Sequence, residues 1–233
     1  MKYTVTDWLF DKLPHVKFGI IVVKNLENSP TTPYDDALLA DAENSIRTEI
    51  APENLKQHPH IAIYRDALEA VGINPNKYTN SVEAMSKRVI KGSNLPRINA
   101  LVDLCNALAL KHRVSLGGHD LKDIHAHLEV RLSNEGDLFL PFGETEYESV
   151  APGEMVFTSG NIVQTRQWLW RQSELGKVTL DSSDIIFQLV GFDHGSPTQL
   201  FKAMDELEQI LVNRFKVPYD RFVVDVNHRT IEF

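Results

Sequence analysis

The chain has 233 residues, 42% hydrophobic and 24% charged, enough for a well-formed core in one large domain or two small ones. Its formal charge of −8 excludes a surface uniformly attractive to polyanions, and a single cysteine, Cys105, excludes an internal disulfide framework and a multi-thiolate metal site. The longest apolar run, Phe18 to Val23, falls far short of the roughly 18 residues a membrane helix needs, and the start "MKYTVTDWLF" carries no signal-peptide pattern, so a soluble, cytoplasmic protein with no membrane partner is expected.

In chain order, "VKFGIIVVKNL" (residues 16–26) reads as a buried strand that runs out into the polar "ENSPTTP". Helices follow. Tyr34, Leu38, Ala42 and Ile46 recur every fourth residue, and a second helix opens at His58-Pro59, buries Ile61, Tyr64, Leu68 and Val71, and closes at Gly72. Asn80 and Glu83 occupy the first and last positions of a capping box and start a short helix that stops near Gly92. Ile98, Leu101, Leu104, Cys105 and Leu108 trace one face of a fourth helix.

From "HLEVRL" onwards the pattern turns to strands. "DLFL", "EMVFT", "NIVQTRQW", "KVTL" and "DIIFQLVGF" are short β-type runs separated by turn sequences such as Asn-Glu-Gly and Ala-Pro-Gly. Ser196, Pro197 and Gln199 then supply the start signals of a C-terminal helix with Leu200, Met204, Leu207 and Leu211 inward. The expected fold class is α+β: a mostly antiparallel sheet or sandwich flanked by N-terminal helices and a C-terminal helix, as one domain over residues 1–233.

Little in the chain marks a familiar catalytic motif. Cys105 sits on an inward helix face, where a thiol acts as a small apolar group. His58-x-His60 and His125-x-His127 each offer two nitrogens but no third ligand by spacing, so no metal and no cofactor is expected. Nucleophile elbow, phosphate loop and dinucleotide fingerprint are missing.

Two places stand out. In "SLGGHD", Gly117 and Gly118 let the backbone approach a ligand or another strand, with His119 and Asp120 beside them; a tight turn with a surface His-Asp is the alternative. In "QWLWRQSE", an extended segment would put Trp168 and Trp170 on one side, in line with Gln172 and Glu174. Core packing of the indoles, with an Arg171–Glu174 salt bridge, is the alternative there. From Met85 to Arg113, six basic residues face a single acid, Asp103; Lys87, Arg88, Lys91 and Arg97 among them could meet phosphates, since screening confines each charge to roughly 8 Å, or could be ordinary solvated helix faces.

At these places the chain resembles the tRNA-editing domain within the beta subunit of bacterial phenylalanyl-tRNA synthetase, and the free-standing proteins made of that domain. The matching positions are Ile98, Asn99, Val102, Asp103, Asn106, Asp120, Leu121 and Ile124, then Glu174, Val178 and Thr179; "WLWRQSE" and "GGHD" look like the free-standing group, and the motifs span about residues 85–192. The resemblance implies a pocket that reads an aminoacyl group on tRNA and lets water cleave the ester. It also implies tRNA or a small aminoacyl ester as partner, RNA binding, and no DNA.

Carried over by position, Glu174 would read a ligand hydroxyl or ammonium. Gly117 and Gly118 amides would form the oxyanion site, and His119 would place water. Trp168, Trp170, Arg171, Gln172, Ser173 and Asn99 would contact substrate. One departure stands out: Gly117 occupies the position of a family histidine, and His119 that of a family phenylalanine. A non-catalytic module that binds an amino acid or other small molecule is the rival reading, and in neither case does the chain charge tRNA.

Overall fold

The structure, a computed structural model, describes residues 1–192 and 199–233. The Ser196 and Pro197 start expected for the last helix therefore lies outside the described residues. The chain carries strands β1 (Lys2–Val5), β2 (Val16–Val23), β3 (Ser115–Asp120), β4 (Leu128–Leu132), β5 (Leu138–Phe139), β6 (Glu148–Ser149), β7 (Met155–Ser159), β8 (Ile162–Arg166), β9 (Arg171–Gln172), β10 (Ile185–Phe192), β11 (Tyr219–Val224) and β12 (Thr230–Glu232), with helix α1 (Asp7–Lys12) after β1, α2 (Pro33–Glu49), α3 (Pro59–Ala70), α4 (Ser81–Ile90) and α5 (Ala100–His112) in succession between β2 and β3, and α6 (Gln199–Ile210) after β10.

The strands form two sheets. One runs β12-β1-β4-β7-β8-β5-β6 with β9 paired to β8; the other runs β11-β2-β10-β3. Pairing is antiparallel except for β1 with β4 and β5 with β8. The fold is α+β with mostly antiparallel sheets, as the sequence pattern predicts.

Burial explains the layering. Phe18, Ile20 and Val22 of β2 face Tyr3, Val130 and Phe157 of the larger sheet, whereas Ile21 and Val23 face Leu104 and Leu108 of α5 and Met204 and Leu207 of α6. The smaller sheet is thus covered on both faces, by a sheet and by helices. That removes the polar alternation from β2 and β10 and makes both read as continuous apolar runs. A third cluster joins α2, α4 and α5 through Leu39, Ile46, Val82, Val89 and Leu110.

Local chemistry sets the helix starts. Thr32 and Asp35 form a complete capping box on α2. Asn80 caps α4 through the Glu83 N–H, but the Glu83 carboxylate does not close a box; it holds Arg65 at 2.9 and 3.0 Å. Tyr34, placed inward by periodicity, is exposed, as is Ile98, which precedes α5.

Three further readings are corrected. "SLGGHD" is strand β3 rather than a turn. "KVTL" is not a strand: the Thr179 carbonyl accepts from Asn28 Nδ2 at 2.8 Å and its N–H donates to Ser182 Oγ at 2.8 Å, so side chains take the bonds a neighbouring strand would make. Residues 167–170 form a turn, with Gln167 and Trp168 at φ 47° and 59°.

Candidate functional site

The site is built on β3. This strand pairs with β10 on one side only, so its other edge is open to ligands or loops. Gly118 O accepts from Gln172 Nε2 at 3.1 Å, and Asp120 N–H donates to Gly176 O at 2.9 Å, so the even-numbered backbone groups point to the open edge. Strand alternation then turns the Gly117 N–H towards β10. The two glycine amides cannot converge on one oxyanion; only Gly118 N–H lies on the free edge.

The side chains alternate too. Gly117 sits opposite Gln188 and His119 opposite Ile186, so Gly117, His119 and Gln188 share one face of the smaller sheet. A Cβ added at Gly117 would touch nothing but His119 Nε2, at 3.7 Å; one at Gly118 would meet Val178 and Phe187 at 3.3–3.5 Å. Gly117 therefore opens a space, and Gly118 lets the 177–178 segment pack close. The imidazole of His119 leans into the space where a side chain at position 117 would begin.

His119 is buried, edge-on to Phe157 at 5.0 Å, and desolvation pulls its pKa down to about 4. It is a neutral imidazole at pH 7. Gln172 Nε2 lies 3.4 Å from Nδ1, which makes Nδ1 the acceptor and leaves the proton on Nε2.

Two cavities meet here, and Leu116, Gly117 and Gln172 line both. The inner chamber, about 100 Å³, lies between Gly117, His119 and Gln188 and is walled by Trp168 and Trp170. The outer cleft, about 270 Å³, is bounded by Val102 and Asn106 of α5, by Gly118, and by Phe142 and Lys177.

Several expected site residues take other parts. Trp168 is 1% exposed and packs on Phe18 at 6.3 Å; the turn, with its two left-handed residues, prevents the two indoles from lining one extended face. Trp170 packs edge-on to Tyr78 at 5.0 Å. Glu174 does not lie on the floor of either cavity. Its carboxylate accepts from Gly143 N–H at 2.9 Å and pairs with Lys177, which holds its pKa below the usual carboxylate range. Arg171 makes no salt bridge to it among the described residues.

Ser173 is fully buried and binds the Leu140 carbonyl at 3.0 Å, while Asn99 caps α5 through Val102 N–H. Of the basic group, Arg97 is taken by Asp36 and Glu43, at 2.6 and 2.9 Å. Lys87, Arg88 and Lys91 are exposed at the end of α4 with no acidic partner among the described residues. Cys105 is buried and its thiol is pushed up to about 12, mainly by desolvation. No group of three or more metal-ligating side chains occurs among the described residues. No helix there is long and apolar enough to cross a membrane.

Gln188 is the residue that sequence reasoning missed. The signal was present: it is the one polar side chain in the apolar run "IIFQLVGF", and a polar group at such a position needs a partner.

The model of the B3/4 domain matches residues 63–211, from within α3 to just beyond α6, and takes in β3, both cavities and β10. The chain belongs to the B3/4 domain family. No curated protein matches it in sequence. Among solved structures, an N-terminal fragment of the phenylalanyl-tRNA synthetase beta subunit from Pyrococcus horikoshii is similar, at 12% identity and a TM-score of 0.48. That similarity covers 95% of this chain and 53% of the fragment, so the chain spans about half the fragment's length.

Within this B3/4 domain, most residues of the sequence motifs hold the scaffold. Asp103 accepts from Ile98 N–H and Thr31 Oγ1 at 2.9 and 2.5 Å, and Asp120 accepts from Ser182 Oγ at 2.5 Å. Ile98, Val102, Asn106 and Val178 are the motif residues that reach the outer cleft.

Proposed function

We propose that this chain is an editing-like hydrolase, acting in trans on the ester of an aminoacyl group carried by tRNA. The observation that carries the reading is the junction of a smaller chamber and a larger cleft at Gly117 and Gln172. An aminoacyl ester has the same plan: a small side chain on one side of the scissile bond and a nucleoside on the other. The motif resemblance to editing domains supports it.

An aminoacyl ester is activated, so hydrolysis needs a placed water and donors for the developing oxyanion rather than a nucleophilic side chain. Gly118 N–H on the free edge and the Lys177 ammonium are the donors at the cleft. The amides of Asn106 and Gln172 hold the water, Gln172 through the Oε1 left over when its Nε2 donates to Gly118 O. Glu174, ionised at the rim, receives the aminoacyl ammonium.

Incubation with a panel of correctly and incorrectly charged tRNAs is expected to show accelerated loss of at least one ester. Gln172→Ala should slow that loss at least tenfold in protein that still unfolds cooperatively. No acceleration for any ester would leave the second reading, a binding module without turnover. That reading is favoured by the cavities' lining, which offers no unpaired carboxylate as base.

If tRNA binds, its affinity should fall about 10³-fold or more between 50 and 200 mM salt, provided six or more phosphates are contacted. Replacing Lys87 or Lys91 by alanine should each lower the slope by roughly one, read by filter binding over a salt series. Arg97→Ala should leave the slope unchanged, because its charge is already spent on Asp36 and Glu43.

A further inference from the structure

The inner chamber over Gly117 has a size and a polarity that restrict its occupant. A dry cavity of roughly 150 Å³ takes a benzene ring, and a water molecule's share of liquid volume is about 30 Å³. A chamber of about 100 Å³ is smaller than such a cavity and has room for about three water-sized groups.

Among its polar groups, which include the Ser81, Ser115 and Thr165 hydroxyls, two N–H donors flank Gly117. Tyr3 O–H donates to Gln188 Oε1 at 2.5 Å, so the other end of the Gln188 amide, Nε2, is the one left without a partner among the described residues; Gln188 is 7% exposed and lines the chamber. His119 is 3% exposed, has its Nδ1 turned to Gln172, and carries its Nε2 proton beside the gap at Gly117. Cross-strand geometry sets the two residues on the same face, as diagonal neighbours around a position with no side chain, roughly 7–8 Å apart at their bases. One ligand oxygen between them can accept from both.

Charge is excluded from the occupant. No Asp, Glu, Lys or Arg lines the chamber, so a carboxylate or ammonium buried there would go uncompensated. Burial keeps His119 uncharged at neutral pH, so it offers no cation to an acid.

We infer that the chamber over Gly117 is a recognition subsite for a short, uncharged, oxygen-tipped amino-acid side chain, that of serine, threonine or asparagine, held by the N–H groups of His119 and Gln188. Resting on the editing reading above, this makes the preferred substrates esters of small polar amino acids, with aromatic aminoacyl groups rejected by size.

The test titrates the full chain with non-hydrolysable 3′-amide analogues of seryl-, threonyl-, asparaginyl-, phenylalanyl- and tyrosyl-adenosine in a calorimeter. The small polar analogues are expected to bind at least tenfold tighter than the aromatic pair. Gln188→Leu, which removes the free donor at similar size, should weaken threonyl binding roughly tenfold and leave phenylalanyl binding where it was. Gly117→Val should abolish the small-polar preference. A Cβ there meets only His119 Nε2, at an ordinary contact distance, and Gly117→Ala, a smaller filling of the same space, repeats the test without the two further methyl groups of valine.

Equal or tighter binding of the aromatic analogues, binding of none, or a preference untouched by all three variants overturns the inference. The two proposals fail separately. Small-polar preference with no ester hydrolysed defeats the hydrolase and keeps the subsite, whereas hydrolysis confined to aromatic esters keeps the hydrolase and defeats the subsite.

Discussion

Replacing Trp168 by alanine is expected to lower the unfolding free energy by about 3–5 kcal/mol, the range for removing a buried aromatic side chain and leaving its cavity. The indole is 1% exposed, packs on Phe18 at 6.3 Å, and belongs to the cluster in which Phe157, Ile186 and Val190 join the two sheets. It also closes one side of the inner chamber. Collapse of neighbouring side chains into the space it vacates would therefore reshape the chamber as well as loosen the sandwich. Urea unfolding measures the first effect: the midpoint should move strongly. Trp170→Ala is the control, because that half-buried ring packs on Tyr78 at the surface and should cost far less. A Trp168→Ala protein as stable as the parent would show that the indole is a ligand wall after all and not a joint between sheets.

The second large effect is on pH dependence. Burial lowers the His119 pKa to about 4 from an ordinary value of 6.5, so the folded state holds this imidazole neutral while the unfolded chain protonates it. For a basic group with a depressed folded value, the unfolded state binds more protons between the two values. Stability is therefore complete above about pH 6.5, falls as the pH drops towards 4, and is flat in this group below that. The full shift corresponds to about 3 kcal/mol. Carboxylates held low by partners, such as Asp35 and Glu174, lose their own contributions only at lower pH, as they protonate. The difference between the parent and His119→Gln across pH 7 to 4 isolates the histidine: the parent should lose about 3 kcal/mol more. Parallel curves would mean that the imidazole is solvated in the folded protein.

Both effects turn on residues whose setting the sequence described only in part. The helices are legible because their signals are local: apolar residues recur at helical spacing in α2, α3 and α5, and Asn80 caps α4, whereas the caps at Thr32 and Asn99 come to light only in the structure. The buried strands β2 and β10 are legible from their long, mainly apolar runs. β3 is not, since paired glycines commonly mark a turn; here one of them opens a space and the other admits Val178, and both reasons lie in residues some sixty positions away.

The tryptophan pair misled for a different reason. Left-handed backbone at Gln167 and Trp168 is rare for such residues and is imposed by packing, so no local signal announces it. Glu174 was expected at the bottom of a cavity, and the nearby Lys177 gives it a closer partner at the rim. The convergence of segments around residues 117 and 172 was legible through the motifs. The role of the opposing Gln188 is not legible locally, because nothing in the apolar run around it marks the distant Tyr3 hydroxyl from which it accepts.

The Tyr64 hydroxyl joins this geometry from outside it. From α3 it donates to the Val190 carbonyl at 2.5 Å and accepts from the Ser115 N–H at 2.9 Å, spanning the end of the β10–β3 ladder. Because strand side chains have a period of two, sliding β3 by a single residue would present Leu116 and Gly118 to the interior and swing the imidazole to the helical side. One phenolic oxygen, gripping both strands at the ladder's end, thus opposes that slippage, and a helix with no direct share in the chemistry fixes which amino acids of β3 a ligand can meet.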